Sequence, residues 1–259
     1  MKRKDTIHDH LFKQLGGSLL LILLFLAAGQ VINADWSEVV ENRKQAAFFL
    51  EGFLQPEWSY IDRLIEPMIE TILMSISGTF LGVITAVPAA FLGTNLVTRN
   101  PVITFIFRTF FSLIRTIPNL LLAALFVAII GIGELTGVLT IAVFTFGMVS
   151  QLIFASIETI DIGPLEADNS IGATRFQIAV NAVWPQVAHS VYAYALYSFE
   201  VNIRASAVLG YVGAGGIGVM LNTALSFMQF GRVSLIILII LFLVFLTSLI
   251  SEYIRREVI

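Results

Sequence analysis

The stretch Leu165–Gln186, LEADNSIGATRFQIAVNAVWPQ, is a mostly polar interval in a chain that is otherwise strongly apolar. Pro164, directly before it, suits the first turn of a helix, because the N–H that proline lacks has no helical partner there. Gly172 predicts the end of that helix, because glycine readily takes the left-handed conformation of a C-cap. The first half of the stretch is therefore predicted to be a short helix.

The second half of the stretch carries its own helix signals. Thr174 followed three residues later by Gln177 has the spacing of a capping box, in which two side chains satisfy free backbone N–H groups at a helix start. Pro185 is expected to end this second helix. We therefore predict two short helices joined by a bend and held between membrane spans, and we call Leu165–Gln186 the elbow.

Composition places the chain in a membrane. Of its 259 residues, 57% are hydrophobic and 13% are charged, and the mean hydropathy is +0.88. Soluble domains carry about 25% charged residues, so an all-α polytopic membrane protein is predicted. The net charge of −3 argues against nucleic-acid binding, and the lack of cysteine excludes disulfides and thiolate chemistry. The histidines are too scattered for a metal site: His8, His10 and His189.

Apolar runs predict about six transmembrane helices. They are Leu15–Ile32, Ile69–Gly93, Ile117–Ile132, Val138–Ile157, Val187–Leu209 and Val233–Ile254. The first run follows a basic N-terminus and could be a signal peptide, but it reaches the ~18 residues that a span needs and is expected to be retained. The segment Leu96–Arg115, with three arginines and no acid, is predicted to lie on the inner side between the second and third spans, and Gly131–Gly137 is predicted to be a tight turn.

The spans divide the chain into two parts. Residues 1–66 hold an N-terminal cytoplasmic segment, the first span and an acidic outer segment. Residues 67–259 hold the transmembrane core, with a cytoplasmic coupling loop at 159–186. With the N-terminus inside, the inner segments hold ten lysines and arginines and the outer segments four. The positive-inside rule then places both termini and the elbow in the cytoplasm, where a soluble protein can reach it.

Charged residues near membrane depth are the first candidates for a transport path. Glu200 and Arg204 lie four residues apart in the fifth span, acid first, which places them on one helix face. Such charges usually face the bundle interior or a wet cavity, so the pair either neutralises itself structurally or lines a path. Arg115, at the start of the third span, either extends to the inner interface, which we favour, or contacts the substrate.

A glycine-rich run, GAGGIG, follows the fifth span at residues 213–218. It satisfies the dinucleotide fingerprint G-x-G-x-x-G, but that motif requires a preceding strand, and here a membrane helix precedes it. No G-x-x-x-x-G-K-[ST] motif occurs, so the chain does not bind ATP through a P-loop. Close backbone packing or a flexible outer gate is the better interpretation of its glycines, Gly213, Gly215, Gly216 and Gly218.

The elbow resembles the EAA loop of ABC-transporter permeases, whose consensus is E-A-A, three residues, G, nine residues and I-x-L-P. Glu166 and Ala167 are followed by Gly172 and Pro185 at the matching distances. Three positions depart from the consensus alanine, isoleucine and leucine: Asp168, Ala182 and Trp184.

Two further segments, Phe199–Gly218 and Arg115–Pro118, are similar to the phosphonate-transport permease family, and this resemblance extends from about Tyr60 to Arg256. It implies a type I ABC importer permease in a bacterial inner membrane. Its implied partners are a second permease copy, a cytoplasmic ATPase dimer that binds the ATP, a periplasmic or lipid-anchored binding protein, and membrane lipid. No cofactor is implied on this chain. Glu166, Ala167, Asp168, Gly172, Thr174 and Pro185 would then couple to the ATPase.

Other classes of protein remain as alternatives. An ABC permease for another small solute would share these features. A secondary transporter would show an intramembrane acid relay or paired broken helices from an inverted repeat, and the spans hold one deep acid, Glu200, and no clear repeat. An intramembrane enzyme would need a nucleophile with a base, or a metal cluster, and no such spacing occurs in the sequence.

The predicted orientation can be tested with single cysteines, because the chain has none of its own. With Thr174→Cys inside and Glu51→Cys outside, an impermeant thiol reagent added to intact cells is expected to label position 51 and to leave position 174 unlabelled. Permeabilised cells, in which both positions should react, serve as the control. Labelling at 174 with protection at 51 would reverse the orientation.

Overall fold

The structure, a computed structural model, describes residues 11–32 and 36–258. Throughout these ranges the regular secondary structure is helical. The chain forms two compact units, residues 1–51 and 52–259. The basic residues Lys2, Arg3 and Lys4, with His8 and His10, lie outside the described residues, and the predicted boundary at residue 66 stays a prediction.

The first unit holds helix α1 (Leu11–Val31), helix α2 (Trp36–Glu41) and most of helix α3 (Arg43–Phe53). Residues 14–31 of α1 are apolar over the ~18 residues that a span requires. The first predicted span, Leu15–Ile32, therefore coincides with a helix of sufficient length.

The second unit holds the remaining helices. In chain order they are α4 (Ile65–Leu92), α5 (Asn95–Thr98), α6 (Pro101–Thr116), α7 (Asn119–Ile130), α8 (Glu134–Ile157), α9 (Gly163–Ser170), α10 (Arg175–Ile178), α11 (Trp184–Leu209), α12 (Ile217–Ser226) and α13 (Phe230–Val258). With α1, the long helices α4, α8 and α13 give four candidate spans, and two bent helix pairs raise the number to as many as six. The prediction of an all-α polytopic membrane protein is confirmed.

The third predicted span, Ile117–Ile132, is not a helix long enough to cross the membrane by itself. The helices α6 and α7 meet there at an angle of 92°. Ile117 is extended (ψ 120°), because the ring of Pro118 disfavours a helical conformation in the residue before it. α7 alone has 12 residues and is about 18 Å long, shorter than the ~30 Å apolar core of a bilayer. Most of the segment Leu96–Arg115, between the second and third predicted spans, forms α5 and α6, and its inner location stays a prediction.

The end of the fifth span also differs from the prediction. α11 ends at Leu209 as predicted, but a single 3₁₀ turn and the glycine run then lead into α12 at a bend of 49°. α12 lies between the fifth and sixth predicted spans, where no helix was predicted. The tight turn between α7 and α8, by contrast, is confirmed, because only three residues separate these helices.

The core of the second unit is the contact between α4 and α8. A Cβ at Gly78 would lie 2.5 Å from the Ile141 side chain, and one at Gly82 would lie 2.7 Å from the carbonyl oxygen of Ala142. These two glycines, four residues apart, therefore let the two backbones approach closely, as small residues do in membrane helix pairs.

A buried amide joins a third helix to this pair. The Nδ2 of Asn202, on α11, donates to the hydroxyl of Thr79 on α4 and to that of Thr145 on α8, both at 2.8 Å. Asn202 is fully buried, so neither bond competes with water. The helices α4, α8 and α11 are thus held together by one side chain.

The close α4–α8 approach predicts that Gly82→Val destabilises the fold. The added atoms would overlap the Thr145 side chain and the α8 backbone, and overpacking of this kind costs about 1–3 kcal/mol. We expect a lower yield of folded protein in detergent and a lower melting temperature. The matched control is Gly17→Val, because a Cβ at Gly17 meets nothing within 4 Å. Equal stability of the two variants would contradict the packing argument.

Candidate functional site

The elbow begins with the short helix α9. The carboxylate of Asp161 accepts a hydrogen bond from the N–H of Gly163 at 3.0 Å and so supports the helix start, where Pro164 occupies the first turn. Leu165 is buried against the core formed by α4, α8 and α11, whereas Glu166 and Ala167 are exposed. α9 is thus anchored by Leu165, and the acidic side chain of its first turn, Glu166, is exposed.

Gly172 ends α9 as the sequence predicts. Its φ of +77° is left-handed, and its N–H bonds to the carbonyl of Asn169 at 3.1 Å. The N–H of Ala173 bonds to the carbonyl of Asp168 at 3.0 Å. This pair of bonds is a Schellman motif, which reverses the chain after a helix and favours glycine at the left-handed position.

The capping box is also confirmed. The N–H of Gln177 donates to the hydroxyl oxygen of Thr174 at 3.4 Å, and the N–H of Thr174 donates to Oε1 of Gln177 at 2.8 Å. Both bonds fix the direction in which α10 leaves the bend. The turn between α9 and α10 is therefore defined on both sides by hydrogen bonds.

The expected helix end at Pro185 is wrong. A π segment over Ala179–Val183 connects α10 to α11, with the N–H of Trp184 bonded to the carbonyl of Ala179, five residues back. The regular α-helical ladder restarts at Trp184, so Pro185 occupies the first turn of α11, where its missing N–H is tolerated. The second half of the elbow is consequently one continuous helical path into the span.

The elbow and the residues just before it hold both buried and exposed apolar side chains. Leu165 and Ile178 are each 3% exposed, whereas Ile162, Ile171 and Phe176 are 56, 82 and 77% exposed. Exposed apolar side chains on an otherwise polar segment are candidates for contact with another protein. We call Ile171 and Phe176 of the elbow, with Ile162 just before it, the apolar patch.

Several polar contacts of the elbow were not predicted. Gln186 joins the start of α11 to the loop before α9, because its Oε1 accepts from the N–H of Asp161 at 3.0 Å and its Nε2 donates to the carbonyl of Asp161 at 3.3 Å. Arg175 and Arg99, counted only as charges for the orientation, both bond across to another segment. No local pattern predicts these partners, since they come from distant parts of the chain.

Asp168 is the residue that departs from the EAA consensus. One of its carboxylate oxygens, Oδ2, is buried and has no hydrogen-bond partner within the described part of the chain. Its backbone carbonyl nevertheless belongs to the Schellman motif. A coupling role for the Asp168 side chain stays a prediction.

The predicted pair in the fifth span is formed, since the guanidinium of Arg204 donates to the carboxylate of Glu200. The Arg204 side chain is 52% exposed and that of Glu200 17%. Arg115 donates to Oε1 of Gln151, on α8, at 2.6 Å. Both arginines therefore have partners within the chain, on α11 and on α8 respectively.

A polar cavity of about 530 Å³ adjoins Glu200. Its other lining residues come from the end of α13: Ser248, Glu252, Arg255 and Arg256. Arg256 is paired with Glu252 in the same acid-first spacing as the pair on α11. Charges at membrane depth usually face the bundle interior or a water-filled cavity, so this polar cavity suits a path-lining Glu200, and that role stays a prediction.

The glycine run makes close backbone contacts. Gly213, Gly215 and Gly216 all have positive φ, and a Cβ at Gly216 would lie 2.5 Å from Oγ1 of Thr71. A Cβ at Gly218 would lie 2.3 Å from the carbonyl oxygen of Ala207. These distances favour the close-packing interpretation of the run, and movement of the run as an outer gate stays a prediction.

Known proteins that this chain resembles are membrane components of transport systems. Residues 78–259 match the family described as "binding-protein-dependent transport system inner membrane component". The phosphite transport system permease protein PtxC of Stutzerimonas stutzeri is 34% identical over 227 residues, 87% of this chain and 82% of the relative. The phosphate-import permease protein PhnE of Mycolicibacterium smegmatis is 36% identical over 218 residues, 84% of this chain but 41% of the relative.

A solved structure shares the fold. The MetNI methionine ABC transporter, in an inward-facing conformation, matches with a TM-score of 0.71 and 20% identity over 78% of this chain and 99% of the matched chain. At this level of identity the similarity concerns the fold alone.

The Glu200–Arg204 pair predicts that neutralising either residue lowers the yield of folded protein. Glu200→Gln or Arg204→Gln leaves the other charge without its partner at membrane depth. Exchanging the two residues should restore much of the yield, though not all, because the acid-first order is the more favourable one on a helix. Expression and transport would be measured for Glu200→Gln, Arg204→Gln and the exchange. An Arg204→Gln variant that folds normally but loses only anion uptake would instead assign Arg204 to the path.

Proposed function

The chain belongs to the family of binding-protein-dependent transport system inner membrane components, and from this premise we propose that it is the transmembrane subunit of an ATP-driven importer of phosphorus oxyanions. The observation that carries this proposal is the elbow, a hydrogen-bonded bend that exposes the apolar patch and continues without interruption into α11. The two relatives described as carrying phosphite and phosphate support the substrate class.

The chain itself is proposed to break no bond. It has no P-loop motif, so ATP would be bound and hydrolysed by a separate cytoplasmic ATPase dimer. Closure of that dimer would displace the elbow, which would be seated on it through the apolar patch and Glu166. Because α10, the π segment and α11 form one helical path, the displacement would reach the spans and alternate their access between the two sides.

The other partners follow from this scheme. A second copy of the chain would complete the transport path, and a periplasmic or lipid-anchored binding protein would dock on the outer loops beside Gly213–Gly218. The positive-inside bias supports cytoplasmic termini and a cytoplasmic elbow. Because Arg115 and Arg204 already have partners in the chain, selection among phosphonate, phosphite and phosphate would fall mainly to the binding protein.

Two variants of the elbow test the proposal. Gly172→Val forces a β-branched residue to a φ of +77°, at a cost of about 1 kcal/mol or more. Glu166→Lys reverses an exposed charge in the first turn of α9. We expect both variants to insert into the membrane as dimers and to lose ATPase association, or the ATPase stimulation caused by the loaded binding protein, because the spans bury their own backbone polar groups.

The assay would use complexes reconstituted in proteoliposomes, with pull-down yield, ATP turnover and uptake of radiolabelled phosphite, methylphosphonate and phosphate as readouts. Glu51→Lys, an exposed glutamate of α3, is the matched control and should behave as the wild type. Unchanged assembly, turnover and uptake in both elbow variants would mean that the elbow is an ordinary loop.

A further inference from the structure

A second cytoplasmic-side segment lies against the elbow. This segment, Thr94–Asn100, connects α4 to α6 and contains α5; we call it the α5 loop. Two hydrogen bonds join it to the elbow. Nη1 of Arg175, in the elbow, donates to the backbone carbonyl of Thr98 at 2.7 Å, and Nη2 of Arg99, in the α5 loop, donates to Oδ1 of Asn169. Each segment thus contributes one arginine to the other, and we call the two bonds the arginine clamp.

The backbone of Arg99 shows that its position is maintained at a cost. Its φ is +50°, a left-handed conformation that arginine rarely adopts and that costs roughly 1 kcal/mol or more. Glycine or asparagine would satisfy this C-cap of α5 without that penalty. A strained backbone that carries a side chain onto a neighbouring segment points to a role for that side chain.

The α5 loop is firmly attached to the helices on both of its sides. The hydroxyl of Thr98 donates to the carbonyls of Phe91 and Leu92, at the end of α4, at 3.2 and 3.1 Å. The side chain of Asn100 caps α6 by accepting from the N–H of Val102 at 3.0 Å. A third bond, from Thr104 of α6 to Asn95 at 2.9 Å, fixes the loop to that helix.

Thr98 therefore belongs to both connections at once. Its carbonyl accepts from the elbow through Arg175, and its hydroxyl bonds to the end of α4. Thr98 itself is buried, at 7% exposure, and its bonds to the elbow and to α4 are partly buried. A displacement of the elbow is thus transmitted through the arginine clamp to α4 and α6.

We infer that Arg99 and Arg175 are positioning residues that carry the movement of the elbow into α4 and α6, in parallel with its direct path into α11. This inference rests on the proposed function. Without the clamp the elbow still docks on its partner through the apolar patch, but it moves α11 alone. The partner then hydrolyses ATP without a matching movement of the other spans.

Side-chain variants separate this role from docking. Arg175→Met keeps the length of the side chain and removes its donors, and Arg99→Gly removes the side chain while keeping the left-handed backbone. We expect normal ATPase association and turnover in both, with a fall in anions imported per ATP of roughly tenfold, the factor for one lost hydrogen bond to a charged donor. Arg175→Lys, which keeps a hydrogen-bond donor, should recover part of the number of anions imported per ATP.

The readouts would be those of the reconstituted complex, with radiolabelled phosphite, methylphosphonate and phosphate. Arg43→Met, an exposed arginine on α3, is the matched control and should keep the wild-type ratio. A wild-type ratio in both Arg175→Met and Arg99→Gly would overturn the inference. So would loss of ATPase association in Arg175→Met that Arg175→Lys does not recover, because that result would mean a merely structural role.

A cross-link tests whether restoring the connection between the elbow and the α5 loop restores transport. Arg99→Cys with Asn169→Cys removes one bond of the clamp, and a bifunctional thiol reagent can rejoin the two positions, which are both exposed. We expect a low ratio of imported anion to ATP before cross-linking and recovery after it. No recovery, or further loss, would mean that the two segments separate during transport and would overturn the inference. Failure of the wild-type complex to assemble or import would instead contradict the proposed function.

Discussion

The contact between α4 and α8 determines how the rest of the second unit is arranged. Inside a bilayer the hydrophobic effect does not drive helices together, so close packing and hydrogen bonds must do so. Gly78 and Gly82 allow the two backbones to meet, and Asn202 adds α11 through hydroxyls on both helices. The elbow is attached to α11, so its position is set by this three-helix joint.

Much of the fold and of the elbow could be predicted because the signals are local. An apolar run of span length identifies a membrane helix irrespective of its neighbours, and α4, α8 and α13 follow their runs to within a few residues. The bend at Gly172 and the capping box at Thr174 each depend on residues that lie within five positions of one another. Backbone hydrogen bonds over so short a range can be predicted from the local order of residue types.

The features that escaped prediction depend on distant contacts or on neighbouring geometry. Pro185 by itself indicates a helix end, and only the π segment before it turns the same residue into a first-turn proline. Pro118 could have signalled the break between α6 and α7, but the apolar run across it concealed the bend. The partners of Arg99 and Arg175 lie about 70 residues away along the chain, beyond any pattern that a single sequence displays.

The π segment before α11 also determines where the elbow can change in length. A residue added to or removed from an α-helix rotates everything beyond it by about 100°, whereas a π turn already holds one residue more than an α turn. A single-residue deletion within Ala179–Val183 could therefore close into an α turn and keep the apolar patch in place, but a deletion in the adjoining α11 would rotate the patch around the helix axis. Homologous permeases that share this docking face should accordingly differ in length in this segment more readily than in the helix that follows it.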